Sequence, residues 1–173
     1  MKKLIFYSVV ITSLVACNTK RNKVSPLVNF EQDKEAVHTF MDAWHLAATN
    51  ANYENYFSKL DITSIFIGTD ASENWSKEAF ARFSKPYFDK GKAWDFKNLD
   101  RNVYFSEDGS VAWFDELLST WMGTCRGSGV LTNTKNGWIL KHYVLSVAIP
   151  NEAIKEVITV KRKKDSIFQS SFY

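Results

Sequence analysis

The chain has 173 residues, 45% of them hydrophobic and 15% aromatic, and a formal net charge of +3. That length suits a single hydrophobic core and is too short for two ordinary domains, and a charge this close to neutral argues against nucleic acid as the main partner.

Lys2-Lys3, an apolar run from Leu4 to Val15 broken only by Ser8, Thr12 and Ser13, and then Leu14-Val15-Ala16-Cys17 give a basic start, a short apolar stretch and small residues before a cut. A bilayer span needs roughly 20 apolar residues, so residues 1–16 read as a secretory signal peptide. Leu-Val-Ala-Cys resembles the bacterial lipobox. That resemblance implies lipidation of Cys17 and a lipid-anchored place in the bacterial cell envelope, periplasmic or on the outer surface. An ordinary signal peptide or an uncleaved anchor is the alternative. Losing Lys2 and Lys3 with residues 1–16 leaves 157 residues at +1. Residues 17–28 are polar, contain Pro26 and lack periodicity, as a lipidated tether should. With lipid on Cys17, Cys125 has no internal disulfide partner, and the fold must hold by its core.

The domain is expected over residues 29–160. From Phe30, Val37, Phe40, Met41, Trp44 and Ala48 recur at three and four residues, which predicts an amphipathic helix of about 19 residues. A short helix follows over Tyr53–Leu60, a β-branched strand over Ile62–Thr69, and a further helix over Ser72–Asp89, with Pro86 marking a break or a new turn. Four long strands are predicted at Trp94–Phe105, Ser110–Trp121, Thr124–Thr134 and Trp138–Ile149, divided by turn signals. Glu152–Val160 suits a closing helix or a short edge strand. Lys161-Arg162-Lys163-Lys164 opens a basic tail over 161–173, read as solvated, with contact to anionic lipid headgroups as the functional alternative. Helices followed by a strand meander define an α+β fold.

Strand register decides which side chains meet, because a one-residue slip reverses every face. Three-residue loops at Trp121-Met122-Gly123 and Lys135-Asn136-Gly137 would put Leu118 opposite Arg126, Glu116 opposite Ser128 and Val130 opposite His142. Phe114, Glu116, Leu118, Arg126, Ser128, Val130, Trp138, Leu140, His142 and Ser146 would then share one face. The other face, with Trp113, Cys125, Gly127, Gly129 and Tyr143, is too apolar to be simply wet and is expected to be covered, by a second subunit or by packing near lipid. Two-residue loops would exchange the assignments.

Several segments together carry a family resemblance: Phe40–Ala48, Tyr53–Phe57, Ile65–Asp70, Lys85–Phe88, Ala112–Glu116, Cys125–Val130, and Gly137-Trp138 through His142 to Ser146. In these the chain resembles the SnoaL-like branch of the nuclear transport factor 2-like superfamily. The resemblance implies a cone-shaped barrel, with N-terminal helices packed on a strongly bent mixed sheet around a pocket, and a homodimer formed through the outer sheet face. Similar proteins include isomerases, dehydratases, cyclases and epoxide hydrolases, and also non-catalytic modules. No complete catalytic set of any of them matches here.

An imidazole beside a carboxylate in a dry cavity can move a proton near neutral pH, which singles out His142 and Glu116 as catalytic candidates. The bland reading is a structural Glu116–Arg126 ion pair with His142 bonded to backbone. Arg126 suits a ligand carboxylate or phosphate through its planar fork. His45 is placed to rim the cavity or to sit satisfied in the core, and Tyr53 and Tyr56 to cap the pocket or simply to pack. Phe114, Ser128, Trp138 and Ser146 complete the expected ligand wall. Asp70 suits a helix N-cap near Ser72. No metal-ligand spacing, phosphate loop or dinucleotide fingerprint occurs, so no cofactor is expected. The expectation is a lipoprotein whose pocket binds a small, mostly apolar molecule with an anionic or carbonyl group. An acid-base enzyme of the same pocket and a non-catalytic assembly module are the alternatives.

Overall fold

A computed structural model describes residues 30–173; the expected signal peptide, Cys17 and the tether lie outside the described residues. Three helices, α1 (Glu31–Thr49), α2 (Tyr53–Ser58) and α3 (Lys77–Asp89), pack on a bent six-stranded sheet. Its strands are β1 (Leu60–Ile67), β2 (Asn74–Ser76), β3 (Lys97–Phe105), β4 (Val111–Thr120), β5 (Gly123–Thr134) and β6 (Gly137–Val147). They lie in the order β2-β1-β6-β5-β4-β3, with β1 parallel to β6 and every other pair antiparallel. The fold is the expected α+β class.

The apolar stripe of α1 faces the sheet, burying Val37, Met41, Trp44 and Ala48. Aromatic rings fill the space between: Trp44 stacks on Tyr56 at 4.9 Å, and Phe66 on Phe80 at 3.9 Å between ring centres. Such pairs add roughly 0.5–1.5 kcal/mol each beyond the area they bury. Inside the expected third helix, residues 74–76 instead form β2, and α3 begins one residue after Ser76, whose Oγ accepts from the Ala79 amide at 3.2 Å. Asp70 is therefore no helix cap. Its carboxylate accepts from the amide and hydroxyl of Ser72 at 2.9 and 2.6 Å and shapes the β1–β2 turn. Pro86 lies within α3 without ending it. The chain beyond Pro150 is helical too, with α4 (Ile154–Gln169) running through the segment expected as a tail.

Three local events set the faces of the sheet: both hairpins expected to have three-residue loops have two, with Thr134 paired to Gly137 in the second, and β6 carries a bulge. Thr120 pairs with Gly123, so Glu116 lies opposite Gly127 rather than Ser128. On β6 the register shifts by one between Leu131↔Leu140 and Val130↔His142, leaving Lys141 as the extra, bulged residue. The pairing of Val130 with His142 is as expected, but the bulge turns His142 outward and Tyr143 inward. The concave face therefore carries Phe114, Glu116 and Leu118 as expected, joined by Cys125, Gly127, Gly129, Leu131, Tyr143 and Leu145. Arg126, Ser128, Val130, His142 and Ser146 point to the outer face.

Candidate functional site

Helix α1 carries His38, Asp42 and His45 at spacings of four and three, on one side of the helix. Strand alternation sends Arg101 and Glu116 inward from β3 and β4, where they are paired across the ladder. These residues meet Tyr143 in a buried polar network. Glu116 Oε1 accepts from the Tyr143 hydroxyl at 2.9 Å and lies 2.9 Å from His45 Nε2; Oε2 accepts from Arg101 Nε, also at 2.9 Å. Arg101 Nη1 donates to the His38 carbonyl at 3.1 Å and to Asp42 at 2.9 Å. Arg101 Nη2 is buried without a partner.

Burial opposes ionisation of Glu116, but the hydrogen bond and charge of His45, together with the Arg101 guanidinium, outweigh it and hold the carboxyl below its ordinary value. An ionised carboxylate only accepts, so the proton between the two groups sits on His45 Nε2. The second ring nitrogen, Nδ1, has no hydrogen-bond partner among the described residues. Burial, then the Glu116 charge, raises the Tyr143 phenol well above its usual range and keeps it a neutral donor.

Glycine makes this network possible. A Cβ on Gly127 would lie 2.4 Å from the Tyr143 oxygen and 2.9 Å from Glu116 Oε1; one on Gly129 would lie 2.8 Å from the Phe114 ring. The two missing side chains leave a notch on β5 that the polar cluster and the Phe114 ring occupy.

His45 is buried within the network, whose outermost member is the exposed Asp42; both line an open depression of about 400 Å³ with Thr49, Asp95 and Phe96. A second, apolar cavity of about 160 Å³ lies where β1, α3, the segment before β3 and the β4–β5 hairpin meet, walled by Phe66, Phe80, Trp94, Phe96, Met122 and Leu145. Phe96 belongs to both, with its ring centre 6.4 Å from that of His45.

The expected site residues are thus divided. Glu116 and His45 come together, and Phe114 is buried on the inner wall. Tyr56 is buried against Trp44, its phenol pushed well above its usual range by burial, with the Trp94 side chain acting against that. Tyr53 packs on Phe57 and Phe88, and Trp138 on Phe105 at the far end of the sheet. Arg126 is exposed and lies 3.5 Å from Asp115 on the outer face, where His142, Ser128 and Ser146 also point. The shared hollow expected for Arg126 and His142 therefore does not exist, and His45 takes the place given to His142. Sequence reasoning missed Arg101, Asp42 and Tyr143. The inward alternation of Arg101, Val103 and Phe105 was the available signal for the first.

The model of the SnoaL-like domain matches residues 37–150. No curated protein matches the chain. Among solved structures, a domain of unknown function with a cystatin-like fold from Nostoc punctiforme PCC 73102 is 16% identical with a TM-score of 0.61, covering 82% of this chain and 98% of its own. An NTF2-like protein from Cytophaga hutchinsonii ATCC 33406 is 14% identical, TM-score 0.57, covering 66% and 98%. The association domain of Caenorhabditis elegans CaMKII is 18% identical, TM-score 0.57, covering 69% and 100%. At these identities the likeness concerns the fold.

Proposed function

The chain belongs to the SnoaL-like domain family, and from that premise we propose that it is a cell-envelope lipoprotein, anchored through Cys17, whose domain binds a small, mostly apolar molecule bearing an anionic or carbonyl group. The observation that carries the binding reading is the pair of cavities sharing Phe96. An apolar cavity of about 150 Å³ accepts a single benzene ring, and the aromatic cavity here is of that size. A polar substituent on such a ring would reach past Phe96 toward His45, in place of the expected Arg126 and His142; His45 holds an anionic or carbonyl oxygen in the form that carries a proton on both ring nitrogens, with Nδ1 donating.

Benzoate and toluene are suitable probes, read by quenching of tryptophan fluorescence. Benzoate should bind saturably, Met122→Trp should abolish binding of both by filling the cavity, and His45→Gln should weaken benzoate by about tenfold while sparing toluene. Absence of saturable binding by either probe, or full binding by Met122→Trp, would sink the proposal.

One observation favours the second reading, an acid-base enzyme (isomerase, dehydratase, cyclase or hydrolase). A buried carboxylate fixes the tautomer of His45 and leaves Nδ1 free beside an open depression, the arrangement a general base needs. In that case any turnover found by substrate screening disappears in His45→Gln while toluene binding persists.

The outer sheet supports a homodimer. Tyr104 and Trp113 stack there at 6.0 Å, each nearly half exposed, beside half-buried Leu117, Val130 and Val144. Trp113→Glu should convert a dimer to monomer in light scattering at micromolar protein; a wild-type chain that is already monomeric there excludes this interface.

A further inference from the structure

Helix α4 packs against no other helix or strand closely enough to bury a residue, and all of its side chains are at least partly exposed. Its one electrostatic link to the body among the described residues is Lys164 acting on Asp70 of the β1–β2 turn, and it follows Pro150 at the end of β6 remote from the start of α1. Ile154, Val157, Ile158, Val160, Ile167 and Phe168 fall within one half of its circumference at 100° per residue. Charge is segregated in the same way. Residues 30–153 hold 12 Lys/Arg against 17 Asp/Glu, a net of −5, whereas Ile154–Gln169 holds five Lys/Arg against two acids, a net of +3.

Lys161 pairs with Asp165 at 3.4 Å, while Lys155, Arg162 and Lys163 meet no carboxylate within ion-pair distance among the described residues. From these features we propose that α4 lies in the surface of an anionic lipid bilayer, with its apolar half among the acyl chains and its lysines at the headgroups. Lys161, Lys164 and Asp165 also fall within the apolar half; the long lysine stems allow the ammonium groups to reach the headgroups, and Asp165 is paired with Lys161. No helix among the described residues is long and apolar enough to cross a membrane, so α4 lies on the bilayer.

A second copy of the chain is the weaker occupant. On the outer sheet, Asp115 and Asp61 are already paired with Arg126 and Lys141, so that face offers little to the three unpaired basic side chains. The chain outside the structure is also long enough to allow the contact. Phe30 stacks on Phe105 at the end of the sheet opposite α4, a separation of roughly 35 Å along β6, and the 13 residues from Cys17 to Phe30 extend to about 45 Å. An anchor at one end and α4 at the other can therefore touch the same plane. The contact itself does not require the anchor.

Hydrogen exchange on the full chain tests this, because it reads α4 separately from the N-terminal segment. With vesicles containing 30 mol% phosphatidylglycerol, amides of residues 154–169 should exchange at least about tenfold more slowly than with pure phosphatidylcholine. Lys161→Glu combined with Lys163→Glu and Lys164→Glu should abolish the difference without changing the thermal midpoint. Unchanged exchange on the anionic vesicles, or equal protection on both lipids, overturns the proposal. Protection that rises with protein concentration in the absence of vesicles would overturn it in favour of a second copy.

Discussion

Replacing Glu116 by Ala is expected to lower the unfolding free energy by about 3–5 kcal/mol, the usual cost of leaving a buried charge without its partner. Glu116 and the side chain of Arg101 are both inaccessible to solvent, and Glu116 is the acceptor for three neighbours. After the substitution Arg101 retains only Asp42 and a backbone carbonyl, and the Tyr143 hydroxyl is orphaned. Urea unfolding measures the loss, with Arg126→Ala, on an exposed pair, as a control expected within about 0.5 kcal/mol. Changing Glu116 to Leu and Arg101 to Met together should regain much of the deficit, since an apolar replacement of both partners removes the stranded charge.

The same carboxyl gives stability an acid limb. Its folded pKa lies below the reference value of 4.5, so its contribution is complete above about that pH and disappears as pH falls through the lower, folded value. Glu116→Gln should flatten this limb. An unfolding free energy that is the same in wild type and Glu116→Ala would show that the cluster contributes nothing net.

The second large effect concerns a missing side chain. Gly127→Ala should cost about 1–3 kcal/mol, as overpacked cores do, because its methyl would sit 2.4 Å from the Tyr143 oxygen. Removing that oxygen tests the cause. In the double variant with Tyr143→Phe the loss should fall short of the sum of the single losses by about 0.5–3 kcal/mol, the range for residues in contact. Strict additivity would place the strain elsewhere.

The helices were legible because their signal is redundant. Five apolar residues at matching spacing defined α1 to within one residue at its start, and turn residues bounded β4 to β6 closely. Parity along the strands was not redundant. It hung on the lengths of two hairpin loops and on a bulge at Lys141, a residue whose ammonium bonds to Asp61 and Thr63 of β1. No local pattern announces a partner 80 residues away. Each event reversed a face, which is why Glu116 was assigned correctly while Arg126 and His142 went to the wrong side. Arg101 was overlooked because β3 is polar over Lys97–Asn102 and looks like a wet edge; only its pairing with Glu116 reveals that the guanidinium turns inward. The parallel union of β1 with β6 leaves no trace in either segment alone.

That union has a consequence for biosynthesis. Strand β1 emerges from the ribosome early, yet its neighbour on one side is among the last ordered stretches to be translated. Until then the nascent polypeptide presents an open backbone edge beside a cluster of bulky rings, and closing so long an intervening loop carries an entropic cost that slows the final step. The sheet is therefore complete only when the last strand joins the first.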